Sequence, residues 1–159
     1  IQVALLVTDR KCEALEVAKA YNVPVKLINF NREIMSTLEQ LGKFDLIALC
    51  GFKRILPCQF LKEIKVPILN SHPSLLPAYG GRGMVGVKVQ EAVIENNDIF
   101  AGCTVHFVDT GIDTGNHIIQ AKIKIRKNDT AWQLGGRIHE VEKVVFWSAI
   151  TMVLEGLVE

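Results

Sequence analysis

The sequence predicts an α/β fold, an open and mostly parallel twisted sheet with helices on both faces and an antiparallel strand toward one edge. Three observations carry this. Short apolar, β-branched runs alternate with stretches of helical period along the chain. Leu46-Ile47-Ala48-Leu49-Cys50 is an unbroken apolar run, the pattern of a central parallel strand covered on both faces. Residues 104–108 and 118–125 are apolar runs separated by a turn, close enough to pair as an antiparallel hairpin at one sheet edge.

Taken in order, residues 1–8 read as a strand, and Asp9 as the N-cap of a helix with Leu15, Ala18 and Tyr21 on one face. Asn22 and Pro24 stop that helix. Residues 25–30 form a second strand, and Asn31 caps a helix carrying Ile34, Leu38 and Leu41 on one side. The apolar run 46–50 follows, then a short helix near 57–63 and a strand over 67–71. A Pro/Gly-rich loop, 73–86, leads into a helix with Val89, Ala92 and Val93 inward. After the hairpin, Asp129 or Thr130 caps the last helix, with Leu134, Ile138, Val141, Val145 and Met152 along its buried side. No repeat, low-complexity segment or linker interrupts the pattern, so residues 1–159 read as one domain.

Composition narrows the function classes. The chain has 159 residues, 49% hydrophobic and 22% charged, inside the globular range and outside that of disordered chains and coiled coils. Lys+Arg 18 against Asp+Glu 17 gives a net charge of +1, without the basic excess that nucleic-acid binding needs. The longest apolar stretch, 144–154, is interrupted by Ser148 and Thr151 and is shorter than the roughly 20 residues of a membrane span. Cys12, Cys50, Cys58 and Cys103 are scattered, with no C-x-x-C pair and no metal-like cluster with the histidines. Reduced thiols in a cytoplasmic protein are the expectation. Trp132, Phe146 and Trp147 on the last helix read as packing residues, because no basic stripe accompanies them.

Ligands of open α/β sheets bind outside the carboxyl ends of the strands. The densest polar cluster there is Asn70-Ser71-His72-Pro73-Ser74-Leu75-Leu76-Pro77. Asn70 and His72 are two apart at a strand end and project to one side, while Pro73 keeps His72 extended. An amide donor beside a titratable imidazole suits a developing oxyanion that also needs a proton. A strand-end turn holding a hydrogen-bonded histidine has the same pattern. A second strand-end turn, Val108-Asp109-Thr110-Gly111-Ile112-Asp113-Thr114-Gly115, brings two carboxylates that can keep His72 protonated or relay a proton; Asp and Gly are also ordinary turn residues. His106 reads either as a residue of the same cleft or as a satisfied core histidine.

Gly81-Arg82-Gly83-Met84-Val85-Gly86 matches the dinucleotide pattern G-x-G-x-x-G, which must follow a strand directly and open the first helix of a βαβ unit. Here it follows a Pro-rich loop late in the chain. A flexible loop over a site is the better reading.

The segments Leu49-Cys50-Gly51-Phe52-Lys53-Arg54-Ile55-Leu56, Asn70-Ser71-His72-Pro73-Ser74-Leu75-Leu76-Pro77, Gly102-Cys103-Thr104-Val105-His106-Phe107-Val108 and Ile112-Asp113-Thr114-Gly115 together resemble the phosphoribosylglycinamide formyltransferase family. The match runs in order over nearly the whole chain. The resemblance implies transfer of a formyl group from 10-formyltetrahydrofolate, as cosubstrate, to the amine of glycinamide ribonucleotide, without a metal. It implies Asn70, His72 and Asp113 as catalytic residues. Lys53, Arg54, Ile55 and Leu56 match the stretch lining the folate pocket, and Asp109, Thr110, Gly111 and Ile112 the loop around the pterin. Arg32 matches a folate contact, and His139 with Glu142 the helix that contacts the ribonucleotide. The implied partners are these small molecules, with no nucleic acid and no membrane.

Within the same fold, formyltetrahydrofolate hydrolase and methionyl-tRNA formyltransferase share the Asn/His/Asp set; Pro73 after His72 and the near-neutral charge favour the purine family. A non-catalytic folate-binding remnant is a reading from another class. The family begins with a further strand and a Gly/Ser/Asn loop whose amides hold the substrate phosphate at a helix N-terminus. Residues 1–8 align with the family's second strand, and no basic leader precedes Ile1. The domain therefore reads as N-terminally incomplete, with a strand, loop and helix start of roughly 20–30 residues expected upstream.

Overall fold

The computed structural model describes residues 1–158. Its contacts divide into two compact units: Ile1–Asp45 with Pro57–Lys65, and Leu46–Leu56 with the chain from Val66 onward.

In the first unit, β1 (Leu6–Thr8) and β2 (Val25–Leu27) pair in parallel around α1 (Ala14–Ala20). β1 is shorter than the apolar run predicts, because residues 1–5 enter no ladder among the described residues. Asp9 does not cap α1: Glu13 stands at that position, and the Asp9 carboxylate instead accepts from the Arg10 guanidinium at 2.8 Å. Tyr21, expected on the buried face, ends the helix in solvent.

The periodic segment 30–41 does not form one helix. It breaks into α2 (Phe30–Glu33), a single 3-10 turn at Met35–Thr37, and α3 (Leu38–Leu41). Ser36 Oγ donates to the Glu33 carbonyl at 2.8 Å and Thr37 Oγ1 to that of Ile34 at 2.6 Å, a back-bonding that competes with a continuous helix. Asn29, in extended conformation, takes the N-cap position expected of Asn31. Ile34 and Leu41 are buried as their spacing predicts. α4 (Cys58–Glu63) completes the unit, with Phe60 fully buried.

The second unit holds a four-stranded sheet in the order β3 (Ile47–Leu49), β4 (Ile68–His72), β5 (Phe100–Phe107), β6 (His117–Lys124). β3 and β4 pair in parallel, while β4 with β5 and β5 with β6 are antiparallel. Three strands therefore run one way and β5 the other. The hairpin forms as expected, but β3 is an edge strand of this sheet rather than a central one, and Ala48 is exposed. An apolar run reports apolar neighbours, not how many strands flank it.

Loop 73–86 separates β4 from α5 (Val87–Glu95), the interval predicted from its Pro and Gly content. α6 (Ala131–Leu154) opens on a capping box: Thr130 Oγ1 accepts from the Gln133 N–H and Gln133 Oε1 accepts from the Thr130 N–H. Leu134, Ile138, Val145 and Ala149 on α6 form one cluster with Leu69, Val93, Ala101, Cys103 and Val105. Each large apolar side chain buried here contributes about 1.5–3 kcal/mol relative to leaving it exposed. Trp132 and Trp147 are not packing residues: they are 78% and 54% exposed on the outer side of α6.

Alternation along two strands separates this core from the site. Leu69 on β4 and Cys103 and Val105 on β5 face the cluster with α6. Asn70 and His72, and opposite them His106 and Thr104, project from the other face.

Candidate active site

The β4–β5 register places Asn70 beside His106 and His72 beside Thr104. The β5–β6 register shifts between Val105, which pairs with Ile119, and His106, which pairs with His117, leaving Ile118 as the extra residue on β6. Beyond β5, the loop to β6 returns Asp113 to the same place. Asp113 has a left-handed backbone (φ 56), a conformation Asp tolerates better than most residues. Gly115 carries the chain back under β5; a Cβ there would lie 1.9 Å from the Phe107 carbonyl oxygen, which only glycine avoids.

Four polar side chains meet as a result. Asn70 Nδ2 lies 3.2 Å from His106 Nε2. His72 Nδ1 stands 3.5 Å from Asp113 Oδ2, and His106 Nε2 3.7 Å from Asp113 Oδ1. Both Asp113 distances exceed a good hydrogen bond. The firm bond to that carboxylate comes from the Gly81 N–H, which donates to Oδ2 at 2.9 Å.

Partner chemistry fixes the protons. His72 Nε2 is 2.8 Å from the Tyr79 carbonyl oxygen, which only accepts, so Nε2–H donates and Nδ1 is the nitrogen turned to Asp113. His106 Nδ1–H likewise donates to the Phe107 carbonyl at 2.8 Å, leaving Nε2 to accept from Asn70. Burial lowers the pKa of His106, against the opposing pull of the Phe107 carbonyl and the Asp113 charge. The neutral ring is the form these bonds describe.

A buried network supports the cluster. Thr104 Oγ1 donates to the Ser74 carbonyl at 2.7 Å and accepts from the Leu76 N–H at 3.0 Å and Gln120 Nε2 at 2.8 Å. Gln90, the one polar side chain buried on α5, donates to the Pro73 carbonyl at 3.2 Å. These bonds hold the loop that follows His72.

Of the residues singled out in the sequence, Asn70, His72 and Asp113 come together. His106 joins them as a full member, buried and hydrogen-bonded on both nitrogens, so the cleft and core readings both describe it. Asp109, Thr110, Gly111 and Ile112 form the neighbouring loop. There Asp109 Oδ1 accepts from the Gly111 N–H at 2.9 Å and from Thr114 Oγ1 at 2.8 Å, so Asp109 serves the loop's own closure. Lys53, Arg54 and Ile55 are exposed in the segment after β3, with Leu56 buried. His139 and Glu142 are partnered on α6, Nδ1 to Oε2 at 3.1 Å. Burial first, and then the Glu142 charge, push the Cys103 thiol up to about 11. Arg32 is exposed on α2 in the first unit. The glycine-rich segment has left-handed backbone at Gly81, Gly83 and Gly86, with Gly86 preceding α5. It does not follow a strand. Among the described residues, no three His, Cys, Asp or Glu side chains are arranged to hold a metal, and no helix is long and apolar enough to cross a membrane.

An α/β sheet with an amide, two imidazoles and a carboxylate converging on one face defines a class equipped for acid–base chemistry beside a strand end. The chain belongs to the Formyl transferase family, whose profile matches residues 2–150. It is 34% identical over 154 residues to the chloroplastic phosphoribosylglycinamide formyltransferase of Arabidopsis thaliana, covering 89% of this chain and 52% of that protein. Over 115 residues it is 42% identical to the trifunctional purine biosynthetic protein adenosine-3 of Drosophila melanogaster, covering 72% of this chain and 8% of that one. The chain thus spans about half the length of the plant relative, and far less of the fly protein. Among solved structures, glycinamide ribonucleotide transformylase 1 from Symbiobacterium toebii matches with a TM-score of 0.87 and 32% identity, covering 98% of this chain and 75% of that one.

Proposed function

We propose that this protein transfers a formyl group from 10-formyltetrahydrofolate to the amine of glycinamide ribonucleotide, in purine biosynthesis. The observation that carries this reading is the convergence of Asn70, His72, His106 and Asp113 in a chain of this family. The names of its relatives supply the transferred formyl group and the ribonucleotide acceptor, and the sequence resemblance supplies the folate donor.

The residues divide the work as follows. The amine nitrogen attacks the formyl carbon, and the carbonyl electron pair moves to oxygen. Asn70 uses one Nδ2 hydrogen on His106 and has a second for that oxygen. His72 has spent Nε2–H on Tyr79, so Nδ1, the nitrogen that faces the Asp113 carboxylate at 3.5 Å, is the one left for proton transfer at the reacting centre. The amine then loses a proton and the folate nitrogen gains one as its bond to carbon breaks. Asp113, which meets both imidazoles, is the carboxylate placed to pass that proton.

For the folate we propose the segment Lys53, Arg54, Ile55 and Leu56, where Ile55 offers exposed apolar surface, and the loop Asp109, Thr110, Gly111 and Ile112. For the ribonucleotide we propose His139 and Glu142, whose mutual bond sets the carboxylate's direction on α6.

The test is a coupled assay with both substrates on the purified protein, following the deformylated folate and the formylated ribonucleotide. Stoichiometric appearance of both, lost in His72→Ala, supports the reading. Formate released without the ribonucleotide would make the protein a hydrolase, and no turnover with intact wild-type protein would end the proposal.

A further inference from the structure

The two groups assigned to the acid–base step share a backbone partner that no side-chain pattern announces. Tyr79 lends its carbonyl to His72 Nε2–H at 2.8 Å, and two residues on, the Gly81 N–H donates to Asp113 Oδ2 at 2.9 Å. Between them Gly80 packs so closely that a Cβ would lie 2.6 Å from Leu76 Cδ2 and 3.4 Å from the Asp113 Cβ. Segment 79–81 is therefore the splint of the His72–Asp113 pair, whose direct separation of 3.5 Å is too long to hold itself.

That splint is strained. Tyr79 has φ 56, left-handed for a bulky residue, and such a conformation persists only where its surroundings over-determine it. The Tyr79 side chain is anchored at its ring and at its hydroxyl. The ring packs against the core cluster, and the Oη–H donates to Asp98 Oδ2 at 2.8 Å. Asp98 is itself fixed just beyond α5, where its N–H donates to the Val93 carbonyl at 3.3 Å and its Oδ1 accepts from Asn96 Nδ2 at 2.8 Å. Burial and the Asp98 bond both raise the Tyr79 pKa, which keeps the phenol the donor.

We propose that the Tyr79–Asp98 hydrogen bond is a positioning device: it anchors the left-handed turn whose Tyr79 carbonyl and Gly81 N–H orient His72 and Asp113. Neither residue touches substrate in this account. The inference deepens the formyl-transfer reading and, for its kinetic part, rests on it.

Tyr79→Phe removes the hydroxyl and keeps the ring; Asp98→Ala removes the acceptor and keeps the tyrosine; Asp98→Asn retains an acceptor. Nitrogen-15 NMR of the imidazoles in the full protein reads the tether without any turnover. The His72 Nε2–H should be protected in wild type and exchange about 10-fold faster or more in Tyr79→Phe. In the coupled assay kcat should fall about 5- to 30-fold with both KM values within about twofold, the mark of misplacement rather than lost binding. The double variant Tyr79→Phe/Asp98→Ala should lose no more than either alone, and Asp98→Asn should recover most of the rate. Should Tyr79→Phe fail to fold, Asp98→Ala carries the same readouts. Unchanged His72 exchange in a folded variant overturns the inference, as does a normal kcat where the exchange has changed. Changed exchange in a protein whose wild type turns over neither substrate upholds the tether and removes the formyl-transfer reading instead.

Discussion

Asn70 donates to His106 across the β4–β5 ladder, Nδ2 to Nε2 at 3.2 Å, and the far side of the imidazole dictates that direction. Because His106 Nδ1–H is committed to the Phe107 carbonyl at 2.8 Å, a neutral His106 has only a lone pair for Asn70. The amide of Asn70 is thereby oriented by a residue that the proposed mechanism does not otherwise use.

His72→Ala is expected to abolish formyl transfer while leaving folate affinity nearly unchanged, since the imidazole acts mainly on the transition state. Asn70→Ala should lower kcat by about 10²–10³-fold if its amide donates to the oxyanion. Steady-state kinetics with folate titration checks both; parallel losses of affinity and rate would place these residues in binding instead.

Acid should weaken the fold through His106. Burial lowers its folded-state pKa below the ordinary 6.5, so on acidification the unfolded chain takes up this proton first. The stability this provides is full above about 6.5 and is lost as pH falls toward the folded value. Protonation also converts Nε2 from an acceptor for Asn70 into a donor toward Asp113. Urea unfolding at about pH 7.5 and about pH 5.5 should show a smaller acid loss in His106→Gln than in wild type. Equal losses would assign the acid sensitivity to other groups.

Thr104→Val keeps the shape of a fully buried residue but takes the hydroxyl from the Leu76 N–H and the Ser74 carbonyl, while Gln120 Nε2 keeps its bond to the Leu76 carbonyl at 2.9 Å. A cost of about 2–4 kcal/mol is expected from leaving these groups unsatisfied. Chemical denaturation measures it, and a change under about 0.5 kcal/mol would mean that water or a shifted partner replaces the hydroxyl.

Ser71→Ala should go the other way. Ser71 Oγ is buried without a hydrogen-bond partner among the described residues, between the polar neighbours Asn70 and His72 but on the opposite side of β4. Removing the hydroxyl should stabilise the protein by up to about 1 kcal/mol. A lower melting temperature in Ser71→Ala would show that the hydroxyl is satisfied in solution.

Much of the site was legible because strands encode direction locally. The two-residue step from Asn70 to His72, with Pro73 holding the chain extended, places both side chains on one face without knowledge of the fold. Asp113 was not distinguishable by composition, since Asp and Gly are ordinary turn residues, and only the family resemblance singled it out. His106 was ambiguous for a physical reason: its membership depends on the β4–β5 register, which local alternation does not specify. Tyr79 and Gly81 contribute backbone groups from a loop, and a carbonyl or N–H leaves no mark on residue type. The edge position of β3 and the breaking of 30–41 into short pieces were hidden likewise, the first by a tertiary neighbour relation and the second by two hydroxyls turning back on their own helix.

The alternation along β4 has a consequence for how this protein can change length. Leu69 sits in the apolar cluster and Asn70 in the polar one, so inserting or deleting a single residue inside Ile68–His72 would exchange the two sets, turning the imidazole into the α6 packing and a leucine toward the carboxylate. No compensating substitution at one position repairs such a swap. Loop 73–86, by contrast, contains its own turns, and its stretch beyond Gly81 holds no side chain of the cluster. Variation in chain length is therefore expected between Arg82 and Gly86, and the five residues of β4 are expected to be of invariant count wherever the chemistry is kept.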